Sequence, residues 1–541
     1  MLPQAKSYAE LIERFQWHVP EYYNIGVDVC DKWADSEPER LALIHKTQEG
    51  AVEHYTFADI KGLSNQTAYL LQQSGVERGD RVAVLLPQAP ETGYAHVAIY
   101  KLGGIAVPLF TLFGVDALQY RLSNCAAKAV ITNNEGVAKI EQIRDDLPDL
   151  ELVFSIDGAH QNDDILDFHA HRERQSKAFE PVRTPAEDPA LIIYTSGTTG
   201  PPKGALHAHR TLIGHLPGVE MSHNLFPKPG DRIWTPADWA WIGGLYDVLM
   251  PAWHHGITVV SHRFRKFDAE AAFAFIAEFG IRNAFLPPTA LKMMRKVKDP
   301  QTRWKYNMRT IASGGETLGA ELLEWGRQTF GITINEFYGQ TECNMIVSSC
   351  SDIMEARPGI MGRAAPGHEL AIIDHEGNRL PNGQLGQIAA KRPNPVMLLE
   401  YWNNPQATDD KFIGDWLITG DQGIMDDEQY IRFVGRNDDV INSSGYRIGP
   451  GEIEDCLLSH PAVKMAAVIG VPDDTRNELI KAFIVLDEGH TPSDALVKAI
   501  QSHVKVRLAA HEYPRLIQFI DDFPLTTTSK IMRRKLRELE K

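Results

Sequence analysis

Tyr194-Thr195-Ser196-Gly197-Thr198-Thr199-Gly200-Pro201-Pro202-Lys203-Gly204 is the stretch on which the reading of this chain turns. The apolar run just before it, 190–193, reads as a buried strand. Glycines let a backbone approach a ligand closely, and the N–H groups of such a loop can cradle phosphate oxygens. Ser196, Thr198 and Thr199 add hydroxyl donors, and Lys203 adds a point positive charge. A Walker loop would end in Gly-Lys-Ser/Thr, whereas Lys203 stands between Pro202 and Gly204. The alternative is a flexible surface turn. Hydroxyl density and a terminal lysine in one stretch argue for a phosphate loop instead.

At 541 residues the chain exceeds one ordinary core, so two or more domains are expected. A formal charge of −16 argues against a general nucleic-acid binder, whose footprint is basic. Phosphate ligands stay possible, because local lysines and arginines set the field in a cleft. Cys30, Cys125, Cys343, Cys350 and Cys456 make neither a metal spacing nor a disulfide framework, which fits a reducing, cytoplasmic setting. Residues 1–15 carry Glu10 and Glu13 and lack the apolar core of a signal peptide. No apolar stretch is long enough to span a bilayer.

Outward from the loop, apolar runs alternate with helical patterns. Runs at 81–86, 105–109, 128–132 and 152–156 read as strands, with a helix at 91–102. Ser7 and Thr56 read as helix starts. Charged sequence at 157–188 reads as a loop. Beyond the phosphate loop, 257–260, 283–286, 310–312 and 333–337 read as strands, and 268–279 and 318–330 as helices. This alternation predicts an α/β fold with sheets of parallel type. From about 365 to 435, short strands and tight turns predict a small β-rich lobe. The pattern breaks after 435, and a compact α+β tail follows. The expected division is therefore 1–435 and 436–541.

Further motifs carry chemistry. Ser313-Gly314-Gly315-Glu316 closes a strand, where paired glycines let a flat ring lie on backbone. Tyr338-Gly339-Gln340-Thr341-Glu342 closes another, at the carboxyl end where open α/β sheets bind ligands. Tyr338 offers a ring face and Thr341 a hydroxyl for a phosphate. Glu342 offers a hard carboxylate oxygen suited to Mg²⁺. Thr419-Gly420-Asp421 puts a carboxylate after a glycine turn, where it can accept both hydroxyls of a ribose. Trp239, Trp241 and Leu245, following Asp238, fit either an apolar pocket or plain core packing. His207 and His209 are given no role, since lone histidines are usually packing or surface residues.

From about residue 30 to Lys535 these motifs, in this order, resemble the AMP-forming acyl-CoA synthetases of the adenylate-forming superfamily. The resemblance is strongest to the branch of medium-chain acyl-CoA and acetyl-CoA synthetases. It implies ATP, Mg²⁺ and coenzyme A, and a reaction in two halves. A carboxylate attacks the α-phosphorus of ATP, giving an acyl-adenylate and pyrophosphate; the CoA thiol then attacks the acyl carbon and AMP leaves. The implied ATP/AMP site is Thr195, Ser196, Gly197, Thr198, Thr199, Gly200, Lys203, Gly315, Glu316, Tyr338, Gly339, Gln340, Thr341, Asp421, Arg436 and Lys530. Within it Lys530, Glu342, Thr195 and Lys203 carry catalysis, and Glu342 holds the metal. Asp438 matches the hinge on which the tail domain turns. Ser444, Gly445, Tyr446 and Arg447 match the loop at the CoA tunnel, and Arg476, Lys505 and Arg515 resemble contacts to the nucleotide of CoA.

The chain departs from the family at Ser529, where glycine is usual, and at Cys343-Asn344, which reads as a substrate-side change. Acetyl-CoA synthetases also carry a tryptophan where Gly339 stands, and that indole closes the acyl pocket. A glycine there is expected to deepen a pocket lined by Trp239, Trp241 and Gly339. The acid expected is a short- or medium-chain aliphatic one, larger than propionate. The alternatives are an aryl-CoA ligase, a stand-alone adenylation enzyme loading an aryl or amino acid onto a carrier protein, and a non-catalytic nucleotide-binding protein. No nucleic-acid partner is expected, and the sequence does not set the oligomeric state.

Overall fold

The structure, a computed structural model, describes residues 1–195, 201–316, 318–436, 439–443, 446–473, 477–508, 513–526 and 530–540. By internal contacts the chain divides into two compact units. One is Met1–Glu369 with Lys391–Asp415, the other Leu370–Ala390 with Trp416–Lys541.

Two sheets organise the first unit. The first contains β1 (Arg81–Leu85), β2 (Ile105–Pro108), β3 (Ala129–Thr132), β4 (Leu152–Ser155), β5 (Pro189–Thr195) and β6 (Lys203–Ala208). Their order is β6-β5-β2-β1-β3-β4, flanked by short edge strands Glu400–Tyr401 and Ile165–Asp167. β2, β1, β3 and β4 run parallel, and β5 and β6 form an antiparallel hairpin. The apolar runs of β1 and β3 are buried almost throughout, as strands covered on both faces must be. Helix Pro90–Leu102 follows β1. Pro90 sits in its first turn, where a missing N–H costs nothing, and Gly103 at φ 72° ends it in the left-handed conformation.

The second sheet contains β7 (Arg232–Trp234), β8 (Thr258–Ser261), β9 (Asn283–Phe285), β10 (Thr310–Gly314), β11 (Asn335–Gln340) and β12 (Cys343–Ser348). Their order is β12-β11-β10-β9-β7-β8, continued by the hairpin Leu41–Lys46/Val52–Thr56 and edged by Arg363–Ala364. The run from β11 to β8 is parallel, whereas β12 returns antiparallel to β11. Helix Phe57–Gln73 is opened by a reciprocal cap: Thr56 Oγ1 accepts from the Asp59 N–H, and the Asp59 carboxylate accepts from the Thr56 N–H.

The structure departs from the sequence reading in two places. Residues 157–188 are not all loop. Ile165–Asp167 is an edge strand and Phe168–Glu173 a helix, begun by the Asp167 carboxylate accepting from the Ala170 N–H. The charged surroundings hide a buried Phe168, stacked on Tyr94 with centroids 6.1 Å apart. Second, the strand expected at 333–337 is β11, Asn335–Gln340, which takes in Tyr338 and Gly339 and bends straight into β12, so Tyr338–Glu342 forms the bend of a hairpin.

The second unit contains β13 (Leu370–Ile373), β14 (Gly386–Lys391), β15 (Trp416–Met425) and β16 (Ile431–Arg436), in that order across a sheet. Its other sheet orders β17 (Ile441–Ser443), β18 (Tyr446–Ile448), β19 (Val463–Asp473) and β20 (Asn477–Leu486) as β18-β17-β20-β19. β21 (Leu516–Phe519) runs parallel to β20. Helices Pro450–Leu458 and Asp494–Arg507 contribute Ile453, Leu457, Ile500 and Val504 to one core with Val468 and Ile484.

Candidate active site

Residues Ser196, Gly197, Thr198, Thr199 and Gly200 lie outside the described residues. Their two stems are described, as the hairpin β5–β6 with Thr195 opposite Lys203. Neighbouring side chains fix both stems. The Tyr194 hydroxyl lies 2.7 Å from Asn124 Oδ1, and the Tyr120 hydroxyl donates to the Pro202 carbonyl at 3.0 Å. The Lys203 ammonium stands 5.3 Å from the centroid of the Tyr401 ring, a cation–π approach.

Tyr401 links this hairpin to Glu342. Its hydroxyl donates a short hydrogen bond to Glu342 Oε1. Lys411 Nζ lies 4.0 Å from the same oxygen and donates to Gln340 Oε1 at 3.2 Å. The Glu342 backbone is held too, its carbonyl accepting from the Leu398 N–H at 2.9 Å. Glu342 is buried. A buried carboxylate needs charge or hydrogen-bond compensation, and a hydroxyl and a lysine supply it. This donor set fits Mg²⁺: one hard carboxylate, with water and phosphate oxygens left to complete the shell. Tyr401 and Lys411 carry no signal in the sequence. The short Glu400–Tyr401 strand pairs with β6, and that topology alone brings them to the site.

At the end of β10, Gly315 adopts φ 94°, which a side chain would strain. Gly314 serves packing: a Cβ there would lie 2.6 Å from the Phe337 ring. Glu316 is tethered by the Thr289 hydroxyl at 3.2 Å and by Lys292 at 3.8 Å. Ser313 Oγ is buried at this strand end with no hydrogen-bond partner among the described residues, a donor left for a ligand or water.

The expected acyl-pocket residues separate. Trp239 is enclosed in the core at 1% exposure, whereas Trp241 is half-buried. The Trp241 ring packs 5.8 Å from Phe285, which lies 5.2 Å from Phe337, an aromatic row along the strand ends. Gly339 does not open the pocket as expected. A Cβ there would lie 2.3 Å from Met345 N and 2.7 Å from both Asn344 Cα and Asn344 Oδ1. The missing side chain is space taken by the returning strand β12. Nearby, burial raises the Asp238 carboxyl to about 6, opposed by the Ala240 N–H it accepts at 2.8 Å. His207 and His209 are fully buried, and desolvation lowers each to about 3, so both are neutral packing residues.

The remaining candidates belong to the second unit. Asp421 follows Gly420 at φ 78°, is buried, and pairs across β15–β16 with Arg436, whose Nε lies 4.0 Å from Asp421 Oδ1. Lys530 closes a turn with Thr526: the Thr526 N–H donates to the Lys530 carbonyl at 2.8 Å, and the Lys530 N–H to Thr526 Oγ1 at 3.0 Å. Lys505 and Arg515 converge on Tyr513, at 5.5 and 5.0 Å from its ring centroid. Asp438, Ser444, Gly445, Arg476 and Ser529 lie outside the described residues, and of Tyr446 and Arg447 only the backbone, in β18, is described.

A hydroxyl-flanked hairpin ending at a lysine, a compensated carboxylate at the bend of a strand, and an α+β tail with its own lysine define an adenylate-forming enzyme. Residues 30–402 match the AMP-binding enzyme family and residues 452–530 its C-terminal domain. The chain belongs to this family and is an AMP-forming CoA ligase, of a class that uses ATP, Mg²⁺ and coenzyme A. It is 38% identical to the acetyl-coenzyme A synthetase of Bacillus subtilis (strain 168), across 99% of this chain and 95% of that one. It is 35% identical to the mitochondrial acyl-coenzyme A synthetase ACSM4 of Homo sapiens, across 98% and 93%. Among solved structures, the anthranilate CoA ligase AuaEII in complex with anthranoyl-AMP matches with a TM-score of 0.88 at 31% identity, covering 96% of this chain and 98% of that one. No described helix is long and apolar enough to cross a membrane.

Proposed function

We propose that this chain joins an aliphatic carboxylic acid larger than propionate to coenzyme A through an acyl-adenylate, in the cytoplasm. The observation that carries the proposal is the Glu342 cluster, a buried carboxylate held by Tyr401 with Lys411 and Lys203 close by. Adenylation brings two anions together, and preorganised charge of this kind offsets their repulsion by several kcal/mol, with no need for a general base. In this reading Thr195, Lys203 and the 196–200 loop hold the phosphates, and bound Mg²⁺ supplies further positive charge at Glu342. Gly315, Glu316 and Tyr338–Thr341 bind the base and α-phosphate. Asp421 and Arg436 bind the ribose. Lys530 offsets charge between carboxylate and α-phosphate in the first half-reaction. Residues 436–541 then turn about Asp438, bringing Ser444, Gly445, Tyr446 and Arg447 to the thiol, while Arg476, Lys505 and Arg515 take the nucleotide of CoA.

The aromatic row supports an apolar acid, since each buried methylene contributes about 0.8 kcal/mol. An aryl acid is the second reading, favoured by the same flat rings and by the similarity to an anthranilate CoA ligase. AMP formation from ATP should require both an acid and CoA, and a carboxylic-acid panel should peak above propionate among straight chains. AMP release that ignores CoA but needs a carrier protein would overturn the reaction, and a peak at acetate or at benzoate would overturn the acid.

A further inference from the structure

Three unusual local features converge on Asn344. Met345 has φ 55°, a left-handed conformation rare for a side-chain-bearing residue within a strand. Its backbone is clamped between two glycines. The position of a Cβ on Gly339 lies 2.3 Å from Met345 N, and that of a Cβ on Gly218 lies 2.2 Å from Met345 O. The third feature is the π-helical turn Leu245–Leu249, a geometry that recurs at functional sites. This turn carries Asp247, which is 2% exposed, and Asp247 Oδ1 accepts from Asn344 Nδ2 at 2.5 Å. Among the described residues this is the one hydrogen bond that either side chain makes. Burial drives the Asp247 carboxyl well above its ordinary range, opposed by the Asn344 amide.

We infer that Asn344, locked by Asp247, is the stop that sets the length of the acid. The Asn344 carboxamide lies where a side chain on Gly339 would go, its Oδ1 2.7 Å from that Cβ position. Strand strain at Met345 fixes the direction of the amide, and Asp247 fixes its rotamer. Asn344 is thus a specificity-determining residue and Asp247 its positioning residue. The inference rests on the proposed reading that the acid lies beside the Tyr338–Gly339 bend.

The test is kcat/KM for AMP formation across straight-chain acids from acetate to octanoate. Asn344→Ala removes the carboxamide and frees room for about two methylenes, each worth roughly fourfold. The optimum should move to longer acids, with the ratio of long to short rising about tenfold. Asn344→Gln should move it the other way. Asp247→Leu, which drops the anchor, should flatten the profile, while Asp247→Asn, which keeps an acceptor, should preserve it. If both Asn344 variants lose all acids equally, the inference fails and the ligase reading stands. If the wild type makes AMP with no acid in the presence of CoA, both fail. Should Asn344→Ala not fold, Asn344→Gln decides alone: an unshifted optimum overturns the stop.

Discussion

Lys530 sits in a turn closed by Thr526, and in the proposed reading its ammonium acts in one half-reaction. Lys530→Ala should abolish acid-dependent pyrophosphate exchange while leaving thioester formation from a supplied acyl-adenylate much less affected. Equal loss in both assays would make the lysine structural. Tyr401 is a different kind of residue. It holds a carboxylate, and a hydrogen bond to a charged group is worth about 1.5–3 kcal/mol. Tyr401→Phe should therefore lower kcat/KM for ATP about tenfold and raise the Mg²⁺ concentration for half-maximal activity. An unchanged Mg²⁺ titration would separate Tyr401 from the metal. The two residues also mark what sequence could and could not disclose. Glu342 and Lys203 stand inside motifs whose residue types declare a phosphate and metal chemistry. Tyr401 and Lys411 stand in ordinary sequence and reach Glu342 only because an edge strand pairs with β6.

Among the elements, helix Thr211–Ser222 is one the sequence conceals. It contains Gly214, Pro217 and Gly218, which lower helix propensity, yet it forms because it is buried along its whole length. The glycines are contact points. A Cβ on Gly214 would lie 2.3 Å from Val396 N, and one on Gly218 2.2 Å from Met345 O. Gly218→Ala should destabilise the protein by about 1–3 kcal/mol through overpacking against backbone that cannot rotate away. Gly62, within helix Phe57–Gln73, meets only the Lys177 side chain at 3.6 Å, so Gly62→Ala should stabilise by about 0.5–1 kcal/mol. Urea midpoints for the pair test this, and a shift of the same sign in both would refute the packing argument. Helices whose apolar period is clean, such as Phe57–Gln73, were legible. So was the parallel alternation of β1 to β4, because length and burial there agree with local preference. The β11–β12 hairpin was not, since the returning strand contains a left-handed Met345 that no residue type announces.

At the scale of the whole molecule, the first unit encloses histidines in numbers that matter. Burial lowers His96, His207, His209, His223 and His368 to about 3 and His215 to about 4, against about 6.5 when unfolded. Between those values the unfolded chain binds more protons, so stability rises with pH; it is fully present above about pH 6.5 and is lost as pH falls. Each group contributes about 1.4 kcal/mol per pH unit to that slope. Calorimetry in buffers of different ionisation enthalpy should show strong proton uptake on unfolding at pH 5 and little at pH 8. Equal uptake at both would refute the neutral burial of these rings. The division into units has a consequence of another kind. The chain passes from one unit to the other at 369–370, 390–391 and 415–416, so each unit is built from segments that are not contiguous in sequence. A ribosome that has released residue 390 presents Glu342 with Tyr401 and Lys411 still untranslated or inside the exit tunnel. The nascent chain therefore presents Glu342 before Tyr401 and Lys411, which emerge with the last segment of the first unit, after the opening strands of the second.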